Sequence, residues 1–114
     1  MEIKANPDLE IPSDLTDQGK DVANAILNFM KKKDMGFTGG CKAFYSPKEW
    51  EDRGEIYGTT SELVICHDGG DLAHIFNLDY ENYDLHEAMR EELAKYDVFV
   101  EQCTSWYSAV YKIE

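Results

Sequence analysis

Six consecutive residues, Cys66-His67-Asp68-Gly69-Gly70-Asp71, hold the densest set of reactive side chains in the chain, and His74 follows three positions later. Neutral imidazole and carboxylate groups together suit zinc or a similar divalent ion, which makes His67, Asp68, Asp71 and His74 a candidate metal set. A thiol beside an imidazole is the other chemistry on offer, because the pair makes thiolate available at neutral pH. Cys103, His67 and His74 are the candidate catalytic set on that view, with Cys66 as the alternative thiol. Several features weigh against both sets. The spacing matches no zinc pattern, aspartates around Gly-Gly are ordinary turn formers, and a cysteine between Ile65 and His67 suits core packing. Gly39-Gly40 and Gly69-Gly70 lack the strand-to-helix context of a phosphate-binding loop, and the acids do not alternate as in a calcium loop. The residues therefore favour no catalytic group, no metal and no cofactor, with these two sets kept as alternatives.

Charge points elsewhere. The 114 residues carry 11 basic and 23 acidic side chains, a formal net charge of −12. Such a chain does not bind nucleic acid or an anionic membrane by neutralising phosphates, but it suits a basic partner. Residues 46–114 contain sixteen of the acids and five of the basic residues. Most of the tyrosines and both tryptophans lie there too, so this half is a folded acidic surface rather than an aromatic-poor acidic tail. Tyrosines interleaved with carboxylates favour arginine-rich partners through ion pairs and cation–π contacts. The candidate interaction residues are Asp79, Tyr80, Glu81, Tyr83, Asp84, Glu87, Glu91 and Glu92.

The elements that must position these groups are read from periodicity and capping. Pro7 and Pro12 keep residues 1–12 extended, as an N-terminal arm. Ser13 or Asp14 can cap a helix running to about Lys33, with Leu15, Val22, Ile26, Phe29 and Met30 on one stripe and Gly36 as its stop. Cys41 to Tyr45 reads as a short strand. Ser46-Pro47-Lys48-Glu49 has the cap, proline and glutamate of a compact helix start, ending before Gly54. Glu62 to His67 is the best strand signal, and Leu72 to Asn77 is expected to return beside it as a hairpin closed at Gly69-Gly70. That hairpin would place His67 and His74 on one face with Leu63, Ile65, Leu72 and Phe76, and Val64, Cys66, Ala73 and Ile75 on the other. Both faces are then apolar, and the second needs a cover from the arm, a second copy or a target. Asp84 and Glu87 can box the start of a second long helix carrying Leu85, Ala88, Met89, Leu93 and Tyr96. Strands begin at Val98 and run over Trp106 to Ile113. The fold class expected is a single α+β domain over 1–114, with a mostly antiparallel sheet of about five strands and two main amphipathic helices.

The segments from Tyr57 to Tyr80 and from Tyr96 to Ile113 resemble small uncharacterised proteins of tailed phages and related mobile elements. The resemblance is carried by His67-Asp68-Gly69-Gly70-Asp71, by Asp79-Tyr80 to Tyr83, and by Glu101-Gln102-Cys103-Thr104-Ser105-Trp106-Tyr107. It implies no catalytic residue, only a small protein made during infection that acts by binding a host factor stoichiometrically. Joined to the acidity, it leads us to expect a nucleic-acid mimic of the anti-CRISPR kind that inhibits a basic, nucleic-acid-binding defence protein. A small metal- or thiol-dependent enzyme or ligand-binding protein at His67–Asp71, and a homodimeric structural module, are the alternatives. Met1 to Pro12 has no signal-peptide pattern and no run approaches a membrane span, so a cytoplasmic protein with reduced cysteines is expected.

Overall fold

The computed structural model describes residues 9–35 and 42–113. The expected readings of the arm over 1–8, of Gly36 as a helix stop and of the strand start at Cys41 lie outside these residues. Helix α1 spans Asp17–Lys32, strand β1 Phe44–Tyr45, helix α2 Pro47–Asp52 and strand β2 Leu63–Cys66. Helix α3 (Gly70–Phe76), a 3-10 turn at Leu78–Tyr80 and helix α4 (Tyr83–Ala94) follow, and strands β3 (Val98–Gln102) and β4 (Tyr107–Lys112) complete the domain. The four strands lie in the order β1-β2-β4-β3 and every neighbouring pair is antiparallel.

The fold is α+β as expected, but among the described residues it has four strands and four α-helices. The hairpin is the reason for the difference. Gly69 and Gly70 adopt φ of +98° and +68°, and instead of returning a strand they lead into α3. Leu72, Ala73, Ile75 and Phe76 are buried while His74 is exposed, which is helical spacing around a polar outer side. A run this short carries too few periods to separate helix from strand, and the turn-forming dipeptide fits either. Strand β2 finds its partner instead in β4, with Leu63 opposite Val110 and Cys66 opposite Tyr107.

All four residues of β2 are buried, so the sheet is apolar on both sides, as the alternation implied. One side is covered by α1, α3 and α4, whose Val22, Ile26, Met30, Leu72, Phe76, Met89 and Leu93 pack with Phe44, Leu63, Ile65 and Val110. The other is covered in part by α2 and the loop after it. Trp50 of α2 is fully buried against Val64 and Tyr107, and Gly58 of the following loop lies over Val64 and Ala109. Helix α2 is positioned by the expected box: the Glu49 N–H donates to Ser46 Oγ and the Ser46 N–H donates to Glu49 Oε1, both 3.1 Å. Ser46 Oγ in turn donates to Asp14 at 2.8 Å. Asp14 thus braces α2, and Thr16 takes the place expected of Ser13 or Asp14 as the α1 cap, accepting from the Gly19 N–H at 3.0 Å.

Helix α1 crosses the start of β2 at Gly19. A Cβ there would sit 2.5 Å from the Glu62 carbonyl oxygen, so only glycine permits the approach. Gly19→Ala is therefore expected to destabilise the protein by more than the roughly 1 kcal/mol of helix propensity that alanine returns. A lowered urea midpoint with an unchanged slope checks this; a raised midpoint would contradict the close packing of α1 on β2.

Candidate functional site

The residues of the His67–Asp71 segment separate at the end of β2. His67 continues the alternation of Leu63 and Ile65 and enters the helix-covered side, where its ring stacks on Phe76 at 6.2 Å. It is fully buried, and its Nε2 lies 2.8 Å from Ser108 Oγ on β4. Asp68 is exposed, Asp71 sits half-buried in the first turn of α3, and His74 points outward, edge-on to Tyr80 at 4.9 Å. The helix, in place of the expected strand, is what turns His74 away from His67. Among the described residues no group of three or more His, Cys, Asp or Glu side chains is arranged to hold a metal ion.

The sheet also divides the thiol set. Cys103 packs on the side of Trp50, Val64 and Tyr107, whereas His67 packs on the opposite side against Phe76. Cys103 Sγ–H donates to the Glu101 carbonyl at 3.7 Å. Burial, and then the charge of Glu101, push its thiol above the usual value, the reverse of an activated nucleophile. Cys66 is buried. Slower alkylation of Cys103 by iodoacetamide at pH 7.5 than of a free cysteine is the expected result, with Glu101→Gln speeding it; a thiol faster than free cysteine would reinstate the nucleophile.

His67 and Ser108 form a buried polar contact between adjacent strands, one that the sequence pattern did not single out. Ser108 sits between aromatic and apolar residues of a β-rich segment, and its only signal is a small polar residue at an inward position. Burial lowers the His67 pKa to about 4, partly offset by the backbone of His67 and Tyr107 and by the charge of Asp68. Those backbone groups lie close without giving Nδ1 a well-formed hydrogen bond. The ring is thus held neutral in the fold. Its folded pKa lies below its unfolded value, so its stabilising contribution is complete above about pH 6.5 and is lost as pH falls toward 4. Roughly 2–3 kcal/mol is expected to go over that window from this group. Urea titrations at pH 7.5 and 4.5 check it by difference, since His67→Gln is expected to be weaker at pH 7.5 yet to lose less on acidification.

The expected interaction residues lie on α4 and on the turn before it, all exposed except the half-buried Glu92. Asp84, Glu87 and Glu91 occupy α4 at steps of three and four residues and are exposed on its outer side, opposite the buried Met89 and Leu93. Their rise is about 4.5 and 6 Å along the helix. Asp79, in the 3-10 turn, and Glu81 carry the acids past the helix start, and Glu81 itself bends the chain with φ of +58°. Tyr80 and Tyr83 lie among them, 46% and 60% exposed. Asn82, not Asp84, is the N-cap of α4, so Asp84 falls in the first turn, where a negative charge suits the helix dipole. Glu87 accepts from Arg90 at 3.0 Å, and Glu92, half-buried, from Lys95 at 2.9 Å. The acidic strip ends there, at a groove of about 340 Å³ whose lining includes Glu91, Glu92, Lys95, Phe29, Lys32 and Lys33.

No protein-family model, no curated protein and no solved structure matches the chain. No helix among the described residues is long and apolar enough to cross a membrane.

Proposed function

We propose that this chain is a non-enzymatic acidic binding protein that occupies a basic, nucleic-acid-binding protein. The observation that carries the reading is the exposed strip from Asp79 to Glu91, five carboxylates with Tyr80 and Tyr83 among them. Carboxylates at these intervals present a partner's Lys and Arg groups with charges spaced somewhat like phosphates, and the two phenol rings add apolar contact and cation–π attraction. Lysines 32, 33 and 95 bound the strip at one end, which gives the surface a polarity and so a preferred orientation on its partner. The segments that resemble phage proteins would set this binding in infection, with a host defence protein as the target and stoichiometric inhibition as the outcome.

Immobilised protein is expected to retain a basic nucleic-acid-binding protein from a lysate, to release it as salt rises, and to lose it when duplex DNA is added as competitor. Reversal of four acids together (Asp79→Lys, Glu81→Lys, Glu87→Lys and Glu91→Lys) is expected to weaken that binding by roughly a hundredfold or more while the fold melts as before, because these side chains are exposed. Unchanged affinity in the reversed protein, or a captured protein that still binds DNA equally well, would sink the reading.

A further inference from the structure

Strand β3 is an edge of the sheet, and the hydrogen bonds at its ends set the phase of its ladder. The Ile113 N–H donates to the Asp97 carbonyl at 2.9 Å and the Cys103 N–H to the Tyr107 carbonyl at 3.1 Å. Asp97, Phe99, Glu101 and Cys103 therefore turn their backbone groups toward β4, and Val98, Val100 and Gln102 turn theirs outward. Val98 is fully buried, so its outward groups are covered, whereas those of the half-buried Val100 and Gln102 meet no hydrogen-bond partner among the described residues. Beside them, on the sheet side away from the helices, Phe99 is 41% exposed and stacks on Tyr111 with 5.7 Å between ring centroids. The pair lines an open groove of about 500 Å³ together with Glu101 and Lys112. Asp97 and Glu101 are exposed and join no ion pair among the described residues.

We infer that β3 is an acceptor edge for an extended, arginine- or lysine-bearing segment of a protein partner. The segment adds as a fifth strand, its backbone pairing with Val100 and Gln102 and a cationic side chain lying over Phe99 and Tyr111 against Glu101. The charge argument chooses the occupant. A second copy would bring another −12 to the same edge, whereas a basic strand meets two unpaired carboxylates and an aromatic face. This surface lies across the sheet from α4, so it stands or falls separately from the acidic strip.

The probe is a synthetic hexapeptide alternating arginine and valine, added to nitrogen-15-labelled protein and followed by amide exchange and chemical shift. The amides of Val100 and Gln102 are expected to exchange freely in the protein alone and roughly tenfold more slowly with saturating peptide. Glu101→Lys is expected to weaken the peptide roughly three- to tenfold, and Val100→Pro, which removes an outward N–H at an edge position where proline is tolerated, to abolish protection at its neighbours. Three results would overturn the inference. They are exchange unaffected by the peptide, equal protection by a glutamate–valine peptide, and amides already protected in the free protein because a second copy or another part of the chain holds the edge.

Discussion

The double burial of β2 is the constraint on which the rest depends. Leu63, Val64, Ile65 and Cys66 face both ways without one exposed side chain, so the strand is stable only if the chain builds a layer on each side. Three helices make one layer, and a single turn and a half of helix carrying Trp50 makes the other. The two layers are unequal, and that inequality shapes the molecule. The helical side extends across the whole sheet, whereas the Trp50 side covers β1, β2 and part of β4 and leaves Phe99 and Tyr111 at the rim. Around Trp50 the cover is reinforced by Tyr45 and Tyr107, each 4.9 Å away, and by the Arg53 guanidinium 4.5 Å above the indole ring. An arginine stacked in this way gives the outer surface of the thin layer a polar finish while keeping the indole dry.

Where the sequence spoke through local chemistry it was legible. The Ser46-Pro47-Lys48-Glu49 start of α2, the apolar stripes of α1 and α4, and the aromatic alternation of β4 are all written within a few residues of where they act. The error at Leu72–Phe76 arose where local chemistry was silent. A Gly-Gly turn serves a hairpin or a helix start equally, and the residue that competes for β2 is Ser108, more than forty positions away. Nothing in His67–Phe76 says that the neighbouring strand place is taken by the C-terminal segment. The same non-local fact separated the candidate metal set, whose assembly depended on His67 and His74 sharing a strand face, while Cys103 and His67 lie on opposite sides of the sheet.

The acidic strip was legible for the opposite reason. Exposure of Asp84, Glu87 and Glu91 follows from helical periodicity and from the apolar positions on the other side of α4, so no long-range pairing was needed to place them. Their boundary was not legible. Lys31 and Lys32 lie in the last turn of α1, where positive charge suits the helix dipole, and only the packing of α1 beside α4 brings Lys32 and Lys33 to the end of the carboxylate row.

The two edges of the sheet differ in a way that limits assembly. On one side β1 offers two residues, Phe44 and Tyr45, while on the other β3 offers five. Endless growth of stacked sheets requires two complementary edges, one to receive and one to be received. A sheet with one usable edge can join one further strand, or one like edge by a two-fold axis, and then has nothing left to extend. Among the described residues the brevity of β1 therefore leaves the sheet with no second edge as long as the first.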